Sequence, residues 1–356
     1  MVYTYYFSYL PYNLMWKLCR LFRRKKQYLL HIEDSFDYYI FQNIRPHLAH
    51  LDIVVTNKAL IPKIKPMLNR KTKFYHYPFC FPDGLIMFRN AAWKYPVKNI
   101  IKIGLEHGAY NFKRFPKAEY YNMFDLYLMT SFYDVERIKK LGAKPVKAIG
   151  YPKSDSLFNG KYTPAVLDEL KARLQLDPNK PTLLFSSTWD GSGMSAVHKW
   201  YRHVQSLCPY YNVLVTLHPR MSEYYRNYLS NTKEIHYITD IDIYPYLLIS
   251  DVCIGDTNSL IAEFCIVNRP IITFSIDATK RTMDDVIELI KSVSIRINTF
   301  AELKHAIANA LATAEETAPA RRQIIARLIE PLDGKAGERA AQEICRLMPE
   351  LAHELA

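Results

Sequence analysis

Short stretches of this chain carry the residue types that handle hydroxyls and phosphates. Glu106-His107-Gly108 directly follows the apolar run NIIKIGL. A histidine at such a run's end, followed by glycine, can face a cleft, and its ordinary pKa near 6.5 suits a general base acting on a hydroxyl. The plainer reading is a histidine that bonds a neighbouring loop. Thr216-Leu217-His218-Pro219-Arg220 follows the run NVLVTL. His218 and Arg220 can both donate to phosphate oxygens, the arginine bidentately, while Pro219 fixes the turn. The alternative is a turn whose arginine is only solvated. Gly255-Asp256-Thr257-Asn258-Ser259 runs into the apolar LIAEFCIV. Backbone N–H groups at a helix start, with side-chain caps beside them, make a phosphate site, and Glu263 one turn on can accept from ribose hydroxyls. Thr, Asn and Ser are equally ordinary N-caps. Two further loops, 150–155 with Lys153 and 186–191 with Thr188, offer a positive charge and hydroxyls, or simple turn chemistry.

Other chemistries are disfavoured. No G-x-x-x-x-G-K-[ST] loop and no G-x-G-x-x-G fingerprint occurs, which argues against P-loop and nicotinamide enzymes. Asp240-Ile241-Asp242 only superficially matches an acidic metal pair and reads as a loop leading to the helix IYPYLLIS, so neither metal nor cofactor is expected.

The elements that must position these residues follow a strand–helix rhythm. Apolar runs at 28–32, 51–56, 73–77, 99–105, 124–130 and 146–150 read as buried strands of a parallel sheet. In SFYDVERIKKLG, Ser131 caps a helix and Gly142 stops it. The rhythm breaks at 158–181, around one amphipathic helix bounded by Gly160, Pro164, Pro178 and Pro181. It restarts with runs at 182–188, 212–217, 234–239, 252–256 and 270–275, and from Asp284 onward the chain is mostly helical. The expected fold is α/β: two Rossmann-like parallel-sheet domains facing a central cleft, the GT-B architecture, with a helical C-terminus. The expected spans are a basic aromatic segment at 1–27, an acceptor domain at 28–160, a nucleotide-donor domain at 161–340 and a C-terminal tail at 341–356.

Composition is that of a globular chain, with 49% hydrophobic and 23% charged residues over 356 positions. The net charge of +12 favours an anionic partner. Six scattered cysteines without a CxxC pair fit a reducing compartment. Residues 1–26 mix Tyr3, Tyr5, Tyr6, Phe7, Tyr9 and Trp16 with Arg20, Arg23, Arg24, Lys25 and Lys26, and Pro11 is expected to interrupt them. That mixture suits an anionic membrane surface; the plainer reading is a packed first helix with its basic face in water. No apolar run reaches the roughly 20 residues of a spanning helix and no signal peptide is evident, so a cytoplasmic location is expected.

Taken in order, the motifs resemble the CDP-glycerol glycerophosphotransferase family, which primes or polymerises teichoic acids. The resemblance runs from about Gly104 to Arg339. It rests on His107-Gly108, Gly150-Tyr-Pro-Lys-Ser-Asp155, Ser187-Thr188-Trp189, Leu217-His218-Pro219, Ser250-Asp251 with Asp256-Thr-Asn-Ser259, Asn268-Arg269-Pro270-Ile271-Ile272 and Asp333-Gly334-Lys335-Ala336-Gly337-Glu338-Arg339. It implies transfer of a polyol phosphate from a CDP-activated donor to a lipid-linked or polysaccharide acceptor, with release of CMP. In that reading His107 is the base, and His218 with Arg220 and the 257–259 helix start binds the pyrophosphate. Residence on the inner face of the cell membrane follows from the lipid-linked acceptor, and no nucleic acid is a partner. The chain departs from the family pattern at Lys153 and Asp190, where arginine is usual, and at Gly255-Asp-Thr-Asn-Ser259, which replaces Thr-Asp-Tyr-Ser-Ser. The alternatives are a GT-B glycosyltransferase using a nucleotide sugar for capsule or lipopolysaccharide, and a non-catalytic basic binding protein.

Overall fold

The computed structural model describes residues 2–68, 71–89, 91–109, 117–277 and 284–352. The described residues fall into two compact units. The first takes those up to Gly108, those from 117 to Asn159 and those from Ile329 onward; the second takes Ala109 and the span Gly160–Leu328.

The first unit is built on a seven-stranded parallel sheet. Its strands are β1 (Tyr28–Ile32), β2 (Asp52–Val55), β3 (Phe74–His76), β4 (Gly84–Phe88), β5 (Ile101–Leu105), β6 (Leu126–Met129) and β7 (Val146–Ala148), in the spatial order β3-β2-β1-β4-β5-β6-β7. The second unit holds a six-stranded parallel sheet of β8 (Thr182–Ser187), β9 (Asn212–Leu217), β10 (Ile235–Tyr237), β11 (Val252–Gly255), β12 (Ile271–Phe274) and β13 (Ile295–Ile297), in the order β10-β9-β8-β11-β12-β13. Central strands such as YLLHI, GLIMF and TLLFSS are buried along their whole length, as sheets covered on both faces require. Leu29, Leu85, Met87 and Tyr95 lie in the core of the first unit, and Leu183, Phe185, Trp200 and Val215 in that of the second. The doubly wound α/β class therefore stands as read. Two strands were not anticipated: β4, which follows the turn-rich CFPDG, and β13, only three residues long.

The sequence-derived boundary at 160/161 and the observed break at Asn159/Gly160 differ by one residue. The reading of 329–340 as part of the second domain is corrected, because this stretch belongs to the first unit. A hydrogen-bonded latch holds it there. Asp155 accepts the backbone N–H groups of Ala336 (3.1 Å) and Gly337 (2.7 Å), at the start of the helix Ala336–Leu347. Arg339 donates from Nε to the Ile149 carbonyl at 2.9 Å and holds Asp333 bidentately, at 2.8 Å on each oxygen. A Cβ at Gly337 would overlap the Asn43 carbonyl oxygen, so the close approach itself demands glycine.

Pro11 does not interrupt the N-terminal segment: one helix runs Val2–Leu21 with the proline inside it. A mid-helix proline removes one backbone bond, and the turns that follow Pro11 are held by side-chain contacts. Tyr12 donates to the Cys80 carbonyl, Trp16 Nε1 to the Pro82 carbonyl at 2.7 Å, and Arg20 and Arg23 pair with Asp83 at 2.9 and 3.0 Å. The helix is thus docked through one face. Leu10, Leu14, Leu18 and Leu21 stay exposed along another, with Phe22 just beyond the helix end. Among the described residues no helix is long and apolar enough to cross a membrane.

Candidate functional site

In the second unit the sheet order places β8 and β11 side by side where the winding reverses, with β9 flanking β8. Ligands of open parallel sheets bind beyond the carboxyl ends at such a switch point. The ends concerned run into Thr188, Asp256 and His218, three of the residues singled out from the sequence.

Asp256 organises this edge. It is 1% exposed. Its carboxylate accepts from the Ser187 hydroxyl and from the backbone N–H groups of Thr188 (3.0 Å), Ala196 (2.9 Å) and Thr257 (2.6 Å). Burial pushes its pKa up, and these donors pull against that shift. A carboxylate offers about four lone-pair sites, and here the protein fills them. Asp256, expected from the sequence among the donor-binding residues, thereby ties the end of β8, the 189–196 loop and the start of the helix Leu260–Ile266 into one piece. The side-chain caps also differ from expectation. Asn258 Oδ1 accepts the Leu260 N–H at 3.1 Å and its amide donates to Ser186 Oγ at 3.0 Å, whereas Thr257 donates to the Met194 carbonyl at 3.2 Å and Ser259 makes no side-chain cap. Asn258 and Ser259 are half-buried at the rim; Glu263 is 3% exposed within the helix.

His218 extends β9 through its N–H to the Ser187 carbonyl at 3.4 Å. Its Nδ1 accepts the Arg220 N–H at 3.1 Å, which puts the proton of the neutral ring on Nε2. The ring therefore presents a donor, the polarity an anionic phosphate requires. Arg220 is exposed two residues on, and Asp190 accepts the Ser222 N–H at 3.0 Å, joining the 189–196 loop to this turn. Asp190, where the resemblance leads one to expect arginine, is thus a loop anchor. Sequence reasoning gave no such role to Asp190 or to Ser187; the hydroxyl-rich composition of 186–195 was the available signal.

In the first unit His107 is exposed at the end of β5; the adjoining residues 110–116 lie outside the described residues. The preceding Glu106 is half-buried as a residue, but its carboxyl is enclosed and receives the Tyr127 hydroxyl. Burial, then the nearby Asp134 carboxylate, push that carboxyl up to about 8, while the Tyr127 bond acts the other way. At neutral pH the residue beside His107 is therefore mostly uncharged. Lys153 is 1% exposed, with its ammonium 4.9 Å from the Phe36 ring centre and 6.0 Å from that of Tyr39. It belongs to the first unit, as does His107, while Thr188, His218, Arg220, Asp256, Thr257, Asn258, Ser259 and Glu263 belong to the second. Asp242 is engaged by Lys161 at 2.7 Å and by the Tyr162 hydroxyl, and Asp240 by the Tyr246 hydroxyl.

Comparison with known proteins bears on this arrangement. A family model described as CDP-Glycerol:Poly(glycerophosphate) glycerophosphotransferase matches residues 108–346. The teichoic acid ribitol-phosphate polymerase TarK of Staphylococcus aureus is 24% identical over 214 residues, covering 55% of this chain and 40% of TarK. The teichoic acid ribitol-phosphate primase of Bacillus spizizenii is 24% identical over 247 residues, covering 60% of this chain and 61% of the primase. The chain thus spans less than two thirds of the length of these relatives. Among solved structures, the wall teichoic acid polymerase TagF soaked with CDPG superposes with a TM-score of 0.69 at 15% identity, covering 98% of both chains. An S. aureus MnaA–UDP co-structure gives 0.63 at 12% identity, covering 92% of this chain and 98% of the other. At such identities these likenesses speak for the fold.

Proposed function

This chain belongs to the CDP-glycerol:poly(glycerophosphate) glycerophosphotransferase family, and from that premise we propose that it transfers a polyol phosphate, glycerol phosphate first, from a CDP-activated donor to an acceptor hydroxyl. The acceptor oxygen attacks the phosphorus that carries the polyol. The new O–P bond forms as the P–O bond to CMP breaks, and CMP leaves with the electron pair. His107 takes the hydroxyl proton. His218 Nε2–H and Arg220 donate to the pyrophosphate oxygens, with Thr188, Thr257, Asn258 and Ser259 at the rim of the same site, and Lys153 and Glu263 in supporting positions. Phosphoryl transfer asks mainly for positioning and charge neutralisation, which these groups supply without metal or cofactor.

The observation that carries this reading is the strand-end cluster of the second unit, where an Asp256-organised edge sets a proton-bearing His218 Nε2 beside an exposed arginine. It lies wholly within the span the family model matches. The relatives include ribitol-phosphate and glycerol-phosphate polymerases, so the polyol of the donor is the first thing to measure. The acceptor in this reading is a lipid-linked or polysaccharide molecule of the cell envelope. The protein works from the cytoplasm on an anionic membrane surface, which it meets through residues 1–26. The exposed Leu10, Leu14, Leu18, Leu21 and Phe22, beside Lys17, Arg24 and Lys25, support that contact. Nucleic acid has no part in it.

The test is CMP release from CDP-glycerol and CDP-ribitol, with and without a lipid-linked acceptor. Release that depends on both acceptor and His107 is the expected result, and the faster donor identifies the polyol. Absence of release from either donor overturns the reading and turns attention to nucleotide sugars.

A further inference from the structure

The first unit has a switch point of its own, and the reaction above leaves it unused. From β1 the chain winds outward through β2 and β3, then returns to lay β4 on the other edge of β1. β1 and β4 therefore flank the crevice that an open parallel sheet leaves beyond its strand ends. β1 runs into Glu33 and Asp34, and β4 runs into Arg89.

Arg89 is held there at a cost. Its φ of +77° lies in the left-handed region that residues with a side chain rarely adopt, and such strain persists where the surroundings over-determine it, characteristically at ligand sites. Its N–H donates to the Leu105 carbonyl at 3.4 Å, one residue before Glu106-His107. Nε and Nη2 each lie 3.4 Å from Asp37 Oδ1. Asp37 is 0% exposed and is itself fixed by the N–H groups of Glu33 and Asp34, both at 3.0 Å. One edge of the guanidinium is thus clamped, and the side chain remains 23% exposed. Across from it, Asp34 Oδ1 accepts the Phe36 N–H at 3.1 Å, while Oδ2 stands 4.0 Å from Arg89 Nη2, too far for a direct hydrogen bond.

The charges here are nearly balanced. Glu33 pairs with Lys94 and Asp37 with Arg89, leaving the half-exposed Asp34. An anion gains little in such a place. A neutral group that can both donate and accept fits it, and two adjacent hydroxyls do so, one donating to Asp34 Oδ2 and the other accepting from Arg89.

We propose that Asp34 and Arg89 bind the vicinal hydroxyls at the growing end of the acceptor, a terminal glycerol or sugar, and so select the hydroxyl that His107 deprotonates. The proposal deepens the transferase reading and rests on it for the identity of the reaction. It divides recognition between two sets of groups: the near-neutral switch point of the first unit takes the uncharged diol, and the His218 and Arg220 donors of the second take the donor's phosphates.

The experiment compares three synthetic lipid-linked acceptors: one ending in glycerol phosphate, its analogue lacking the secondary hydroxyl, and one ending in an unphosphorylated sugar. CMP release is followed for the wild type, Asp34→Asn and Arg89→Lys. The asparagine keeps an oxygen for the Phe36 N–H, and the lysine keeps a cation beside Asp37 with one donor group in place of two, so the melting temperature of each variant is read beside its kinetics. A site built to hydrogen-bond a hydroxyl rejects the analogue lacking it, so the wild type should favour the diol by about 10- to 100-fold in kcat/KM. Each variant should lose most of that preference through a raised KM for the diol rather than a lowered kcat. The glycerol and sugar arms show which diol is read. Equal use of diol and deoxy analogue by the wild type, or an undiminished preference in both variants, overturns the proposal. Binding of glycerol 1-phosphate, followed in parallel by ligand-observed NMR on the same proteins, separates the two readings. Variant-sensitive contact with the diol carbons in a protein that releases no CMP would sink the transferase reading and leave the diol site standing. No contact in any protein would sink the diol site.

Discussion

Two pairs of polar motifs look alike in this sequence and behave oppositely in the structure. Gly150–Asp155 and Asp333–Arg339 lie some 180 residues apart and meet within the first unit, where Asp155, Arg339 and Asp333 satisfy one another and the backbone. Thr216–Arg220 and Asp256–Ser259 meet in the second unit around Asp256, and there His218 carries its proton on Nε2 while Arg220 is exposed at the edge. The difference teaches that polar groups which saturate one another and the backbone hold a fold, while an exposed arginine beside a proton-bearing ring at a switch point is equipped to hold a ligand.

That contrast can be broken by substitution. The largest effect is expected from His107→Ala, a loss of about 10² to 10⁴ in kcat/KM with an unchanged melting temperature, because a positioned base contributes that much. A near-normal rate of CMP release would remove His107 from the chemistry. His218→Ala should cost about 10² to 10³, the scale of one lost donor to developing charge, again without loss of stability. If instead it melts early and turns over normally, the cluster is a second latch. Gly337→Ala should do the reverse, lowering unfolding free energy by about 1–3 kcal/mol as the new methyl group meets the Asn43 carbonyl, while the rate per folded molecule holds. Urea denaturation with activity measured on the same samples checks both halves of that statement.

The smallest effect sharpens the comparison through pH. Burial raises the Asp155 carboxyl above its ordinary value, against the pull of the Gly337 and Ala336 N–H groups and of Arg339. A folded-state pKa above the unfolded one means that the native state holds the proton longer. The stabilisation linked to it is therefore complete below the unfolded value near 3.8 and is lost as pH rises through the folded value. Asp155→Asn cannot titrate. Relative to the variant, the wild type should lose stability as pH rises from below 3.8, and a difference in melting temperature that stays flat with pH would contradict the assignment.

Much of the fold was legible because buried parallel strands are continuous apolar runs, and NIIKIGL, TLLFSST and NVLVTL announce themselves. The strand GLIMF was not read as one, although it is as apolar as the others, because Pro82, Asp83 and Gly84 suggest a turn at its start. That single omission hid the order β1-β4 and with it the first unit's switch point, so Arg89 went unnoticed. Lys153 marks a different limit: its charge and motif are legible in the sequence, but its burial near the Phe36 and Tyr39 rings is not, because no local pattern reveals it.

The sequence by itself determined the element types, the doubly wound class, the family and the strand ends at which His107, Thr188, His218 and Asp256 stand, since periodicity and turn chemistry act over a few residues. Only the tertiary structure decided which of these polar groups are already satisfied. It drew 329–352 back onto the first unit, filled the lone pairs of Asp256 and put the His218 proton on Nε2. Hydrogen-bond saturation depends on partners far apart in the chain, so it becomes readable only once those partners have met.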